Sequence, residues 1–155
     1  NGDVVEALVA ERGEGTLRLA ADLAYEDDAS ERAEVDVEDV AEKTASFLDV
    51  GHDTVEDYAS VIRGSEAVFV KGALGVFEDE RFADGTVGVL EAIAETDCFS
   101  VVGGGDTSRA IELYGLDEDD FSHVSIAGGA YIRALTGEPL VAVEELERAA
   151  ERAGT

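Results

Sequence analysis

Phe99-Ser100-Val101-Val102-Gly103-Gly104-Gly105-Asp106-Thr107 runs from a short apolar strand through three glycines into a helix over 107–114. The same order stands on either side of it. Upstream, a strand over 67–70 leads into Lys71-Gly72-Ala73-Leu74-Gly75-Val76-Phe77-Glu78, and then into a helix with Thr86, Val89, Leu90 and Ile93 on one face. Downstream, a strand over 123–126 leads into Ala127-Gly128-Gly129-Ala130 and a helix over 130–135. Short apolar strands alternating with helices predict a parallel sheet. The expected fold class is therefore α/β, a three-layer, Rossmann-like sheet with helices on both faces.

Away from this centre the signals are weaker. Val4, Val5, Leu8 and Val9 recur at helical spacing, and Gly13 and Gly15 stop them. Residues 17–25 read as a mostly apolar strand, 26–38 as an acidic loop, and 40–48 as undecided. After Gly51, the positions Val55, Tyr58, Ala59 and Ile62 mark an amphipathic helix, and a charged helix over 143–152 closes the chain. The chain opens at Asn1 in what reads as mid-helix, so a piece of a longer protein is expected.

The 155 residues suit one domain, and 45% hydrophobic content supports a packed core. Charge is lopsided: 37 Asp and Glu face 11 Lys and Arg, a formal net charge of −26. Such a surface repels phosphate backbones and anionic lipid, which argues against nucleic-acid and membrane partners. The acids are spread along the whole sequence, as in an acidic coat suited to molar salt, where screening removes most self-repulsion. A halophilic source is expected. Cys98 is the single cysteine and reads as a small core residue, with no internal disulfide and no thiol metal cluster. With no signal peptide and no bilayer-length apolar run, the expected compartment is cytoplasmic.

In a parallel sheet the three glycine loops leave from the carboxyl ends of their strands, the edge where open α/β sheets bind ligands. Two of them run straight into helices, whose first N–H groups and positive dipole ends hold phosphate. On so negative a chain, backbone donors are a sensible way to bind an anion. Asp106 either caps its helix or meets Mg²⁺ beside a nucleotide, and the two roles are compatible. Thr107 either donates its hydroxyl to a phosphate oxygen or opens the helix. Glu78 is either one more of the 37 acids of the surface or, at the end of a glycine-punctuated loop, an acceptor for ribose hydroxyls, and Lys71 either neutralises phosphate or ends its strand. His52 and His123 lack metal-ligand neighbours and read as structural. The loops match neither GxxxxGK[ST] nor GxGxxG. Read alone, the residues describe a nucleotide- or phosphate-binding domain.

Together and in this order, the motifs resemble the C-terminal domain of the phosphoglycerate kinase family. Residues 71–78 are similar to its Asn-Gly-Pro-x-Gly-Val-Phe-Glu, and Phe82-Ala83-Asp84-Gly85-Thr86 to its Phe-Ala-x-Gly-Thr. Gly103 to Thr107 match Gly-Gly-Gly-Asp-Thr, Ser122-His123-Val124-Ser125 matches Ser-His-Val-Ser, and Asp49-Val50-Gly51 with Thr54 resembles Asp-Ile-Gly-x-x-Thr. The likeness spans about residues 17–140.

The resemblance implies that residues 1–155 are the nucleotide-binding portion of a two-domain glycolytic kinase. Its N-terminal substrate domain, which takes 3-phosphoglycerate or 1,3-bisphosphoglycerate, would lie outside this chain, and the chain alone would be inactive. By the same resemblance Gly72 and Val76 lie against adenine with Leu48 on its other side, and Glu78 meets the ribose of ADP or ATP. Gly104, Gly105, Asp106 and Thr107 receive phosphates, with Mg²⁺ on Asp106. Gly128 and Gly129 stabilise the phosphoryl group in transit. The sequence departs from the family's pattern at several positions. Lys71 stands for Asn, Ala73 for Pro, Phe47 and Ala127 each for Gly, and Leu140-Val141-Ala142-Val143 for Leu-Pro-Gly-Val. A noncatalytic nucleotide-binding module is the competing expectation.

Overall fold

The computed structural model describes residues 17–154 together with Glu6, Ala7 and Ala10. The opening helix expected from Val4, Val5, Leu8 and Val9, with its stop at Gly13 and Gly15, lies outside the described residues. The chain divides into two compact units, one of residues 1–61 and 74–89, the other of residues 62–73 and 90–155.

The first unit holds an antiparallel sheet that sequence reading did not foresee. Strands β1 (Asp22–Glu26), β2 (Arg32–Asp36) and β3 (Phe47–Val50) lie in the order β2-β1-β3. The expected acidic loop over 26–38 thus contains a hairpin turn and a strand. Asp27 closes the turn: its side chain accepts from the N–H groups of Ala29 at 2.8 Å and Glu31 at 2.9 Å. Ser30 sits there at φ 62°. In β2, Ala33 and Val35 alternate with Glu34 and Asp36, a half-buried strand pattern hidden by its acid content. Regular structure in β1 begins at Asp22 rather than at residue 17.

Asp22 explains where helix α1 (His52–Arg63) starts. Its buried carboxylate accepts from the N–H of Thr54 at 2.9 Å and of Asp53 at 3.1 Å, and from the Thr54 hydroxyl. A carboxylate there satisfies orphan donors of the first turn and faces the positive end of the dipole. A methyl on Gly51 would fall 2.0 Å from Asp22 Oδ2, so only glycine fits at that corner. Burial opposes ionisation of Asp22, but the Thr54 hydroxyl and the Thr54 and Asp53 N–H groups hold its carboxyl below the usual range. Stability from such a group is present above the unfolded value, about 3.9, and is lost as pH falls through the folded one. Asp22→Asn is expected to cost about 1–3 kcal/mol at pH 7. Thermal melts across pH should show the gap from the wild type closing below about pH 4; a gap that persists there would refute the assignment.

Helix α2 (Asp84–Ala94) follows a 3-10 turn over Glu80–Phe82. Gly88 of α2 lets it approach α1, since a methyl there would lie 2.6 Å from Val55 Cγ1. Phe82 is fully buried.

The second unit carries the expected α/β architecture. Strands β4 (Ala67–Lys71), β5 (Phe99–Gly103) and β6 (His123–Ser125) form a parallel sheet in the order β4-β5-β6. Around it stand helices α3 (Gly105–Tyr114), α4 (Gly128–Leu135) and α5 (Val141–Ala153). Val102, Ala110 and Ile111 are buried at its centre, and Tyr131 of α4 packs on Phe69 and His123. Cys98 is half-buried rather than a full core residue, because it lies just ahead of β5 in the connection from α2. No described helix is long and apolar enough to cross a membrane.

Candidate functional site

Within the second unit, strand register sets the site. Lys71 pairs with Gly103 and Gly103 with Ser125, so three strands end level and their loops leave from one edge. The chain turns there on Gly72 at φ 88° and Gly104 at φ 111°, conformations that L side chains resist. Gly104 N–H donates to the Ser125 carbonyl at 2.8 Å, tying the second loop to the third strand. A methyl on Gly128 would stand 3.1 Å from Gly104 Cα and 3.0 Å from Lys71 Cε. The starts of α3 and α4 and the stem of Lys71 therefore crowd together, and glycine makes the approach possible.

Sequence reading allowed Asp106 as the cap of its helix, and the structure corrects this. Helix α3 begins at Gly105 with Gly104 as its N-cap and no side-chain cap bond. Asp106 is an exposed carboxylate inside the first turn, the single acid there. Thr107 neither opens the helix nor points outward. It is 1% exposed, and its hydroxyl accepts from Gly72 N–H at 3.0 Å and donates to the Gly103 carbonyl at 3.3 Å. It clamps the first loop to the end of β5. Gly105 and Gly129 face open space, with nothing within 4 Å of where a Cβ would be. Ala127 differs from its neighbours: its N–H is already bonded to Ser125 Oγ at 3.1 Å.

The first unit contains the remaining expected residues. Leu48 lies in β3, and its carbonyl accepts from Val76 N–H at 2.8 Å, which sets the two beside each other. Val76 is exposed while Phe77 is buried, so the loop is anchored by one side chain and presents the other. Glu78 is exposed. Thr86 supports this loop from the start of α2, its hydroxyl accepting from Leu74 N–H at 3.1 Å and Gly75 N–H at 3.4 Å. The supporting role of Thr86 and that of Thr107 went unrecognised in the sequence. Both threonines stand in the quoted motifs, but nothing in a single sequence shows which way a hydroxyl points.

His52 binds Glu34 at 2.6 Å, and the His123 ring rests on Tyr131, in keeping with structural histidines. Burial opposes ionisation of Glu34, yet the Arg32 guanidinium and the His52 N–H and ring hold its carboxyl below the usual range. Among the described residues no group of three His, Cys, Asp or Glu could hold a metal. The exposed Asp106 carboxylate is of the type that Mg²⁺ accepts, since the ion is commonly held by one or two carboxylates plus substrate phosphates.

The profile of the phosphoglycerate kinase family matches residues 2–138. The "Phosphoglycerate kinase" of Halorubrum lacusprofundi is 73% identical over 152 residues, covering 98% of this chain and 37% of that protein. That of Haloarcula marismortui is 66% identical over 148 residues, covering 96% and 36%. Among solved structures, phosphoglycerate kinase from Coxiella burnetii superposes with a TM-score of 0.76 at 31% identity, over 88% of this chain and 36% of that one. The Pyrococcus horikoshii enzyme gives 0.75 at 31%, over 94% and 38%. The chain spans a little over a third of the length of these relatives.

Proposed function

The chain belongs to the phosphoglycerate kinase family, and from that premise we propose that it binds MgADP and MgATP as the nucleotide-holding portion of such an enzyme. The full protein would transfer a phosphoryl group reversibly between 1,3-bisphosphoglycerate and ADP. In the forward direction the bond from phosphorus to the acyl oxygen breaks, one to a β-phosphate oxygen of ADP forms, and 3-phosphoglycerate leaves as a carboxylate. The observation that carries this reading is the level ending of three strands at Lys71, Gly103 and Ser125, with two helix starts crowded behind them.

Such a transfer needs no covalent nucleophile; it needs positioning and donors aimed at developing charge. Gly105 receives the nucleotide phosphates through backbone, and Gly104, whose own N–H is tied to the Ser125 carbonyl, leaves them room by lacking a Cβ. Gly128 and Gly129, opening α4, face the phosphoryl group in transit. Thr107 serves the phosphate site indirectly, its buried hydroxyl holding Gly72 and Gly103 in place. In the first unit Leu48 and Val76 take the adenine, and Glu78 the ribose hydroxyls. Asp106 would hold Mg²⁺ together with the nucleotide, and the ion supplies charge neutralisation on the phosphate oxygens. The acceptor site would lie in the rest of the protein, so this chain alone binds nucleotide without turnover. The acidic coat fits the haloarchaeal relatives, and the site is read as working in a salt-rich cytoplasm.

Calorimetric titration in molar KCl tests the reading. MgADP should bind saturably, and Asp106→Asn should weaken it about tenfold, roughly 1.4 kcal/mol, while leaving metal-free ADP unaffected. No saturable binding, or equal weakening without Mg²⁺, would refute it. A noncatalytic module is the second reading, and Ala127 is the observation on its side. Its N–H is occupied by Ser125 where a donor to the moving group would be wanted. Phosphorylation of 3-phosphoglycerate by the full-length protein separates the two.

A further inference from the structure

Two of the quoted motifs, Asp49-Val50-Gly51-x-x-Thr54 and Phe82-Ala83-Asp84-Gly85-Thr86, supply no residue to the nucleotide reading, yet they meet at one carboxylate. The Asp49 side chain has no exposed surface. Its Oδ2 accepts from Arg32 Nη1 at 3.1 Å and from Gly85 N–H at 2.9 Å, and its Oδ1 accepts from Val50 N–H at 2.9 Å. Arg32 also donates to the carbonyls of Arg81 at 2.8 Å and Val50 at 2.9 Å. A methyl on Gly75 would stand 2.2 Å from Asp49 Oδ1 and one on Gly85 2.3 Å from it, so the carboxylate occupies the space both glycines leave. One group thus grips the loop ahead of Val76, the start of α2 and the strand that carries Leu48.

A buried ion pair is a weak source of stability, because desolvation offsets most of the attraction. Burial indeed pushes the Asp49 carboxyl up from its ordinary value, against the pull of Gly85 N–H, Arg32 and Val50 N–H. What such a pair does supply is a fixed geometry. Asp49 is flanked by Leu48, whose carbonyl holds Val76, and it lies against Gly75, the residue before Val76. We propose that Asp49 and Arg32 are positioning residues for base recognition. They set Val76 beside Leu48 and so control affinity for the nucleoside part of the nucleotide without touching it. The inference rests on the reading that Leu48 and Val76 meet adenine.

The test compares MgADP with magnesium tripolyphosphate, which lacks base and ribose, on the full-length protein and its Asp49→Asn and Arg32→Lys variants. Asn cannot serve three donors with one carbonyl oxygen, and Lys cannot reach two carbonyls and a carboxylate as a fork. Expected is a tenfold or greater loss of MgADP affinity for Asp49→Asn and a smaller loss for Arg32→Lys. Tripolyphosphate affinity, kcat at saturating nucleotide and KM for 3-phosphoglycerate should each stay within about threefold. Unchanged MgADP affinity in folded variants would overturn the proposal while leaving the nucleotide reading intact. Equal losses for both ligands, or failure of both variants to fold, would show a merely structural pair. A wild type that binds the two ligands equally would remove the adenine reading and this inference with it.

Discussion

Phe82→Ala is expected to lower the unfolding free energy by roughly 3–5 kcal/mol, a large part of what a domain of this size possesses. The size follows from how little the surroundings can collapse. Phe82 is 0% exposed and closes the 3-10 turn, with its N–H bonded to the Asp79 carbonyl at 2.8 Å. The preceding carbonyl, of Arg81, is held by Arg32, and the Arg81 guanidinium lies 5.1 Å from the ring centre. On the far side, the Phe82 carbonyl is 2.5 Å from where a Gly75 methyl would be. With its N–H and the preceding carbonyl tied and its own carbonyl close against Gly75, the turn has little freedom to move inward and fill the void, so the cavity contribution adds to the lost transfer energy. Phe82→Leu, which keeps most of the volume, should cost less than about 1.5 kcal/mol. Urea unfolding in molar KCl measures both. A loss below about 1 kcal/mol for Phe82→Ala would mean that the turn relaxes freely and that the core is centred elsewhere.

The two units differ in how plainly the sequence announces them. Around Gly103 the signals agree: continuous apolar strands, glycine clusters and helical spacing all indicate strand-loop-helix units, and the parallel sheet follows. In the first unit they conflict. Arg32 to Asp36 reads as acidic loop because three of its five residues are charged, yet Ala33 and Val35 are enough to half-bury one face. Asp27 is counted by composition as one more surface acid, while in the structure its carboxylate builds the hairpin. Asp22 and Asp49 show the same limit more strongly. In a chain with 37 acids, nothing in the sequence separates a solvated carboxylate from one that caps a helix or grips a loop. Only the partners separate them: Thr54 for the first, Arg32 and Gly85 for the second. The geometry of the candidate site was legible where glycines mark turns and close approaches, as at Gly104 and Gly128. It was illegible where it depends on hydroxyl orientation, as at Thr86 and Thr107.

Gly128→Ala is expected to reduce turnover of the full-length protein by at least about a hundredfold, on the scale of losing one preorganised donor to developing charge. The added methyl would stand 3.0 Å from Lys71 Cε, 3.1 Å from Gly104 Cα and 3.3 Å from Gly104 N. Lys71 can swing away at little cost, but Gly104 cannot. It is fixed at φ 111° and its N–H is bonded to the Ser125 carbonyl. Relief must come from separating the starts of α3 and α4 by a few tenths of an ångström. Binding of MgADP, which spreads over many contacts, should change by less than about threefold, whereas charge stabilisation in the transition state depends steeply on donor distance. Gly129→Ala is the contrasting variant. Its methyl would meet nothing within 4 Å, and alanine favours a helix over glycine by about 0.5–1 kcal/mol, so its melting temperature should rise. Because no protein atom opposes that methyl, a fall in kcat there would report a ligand passing through the open space at the start of α4. Rate and melting curves of both variants decide the matter. If Gly128→Ala turns over normally, the crowding of the two helix starts has no part in the chemistry, and the phosphoryl path must be sought at another loop.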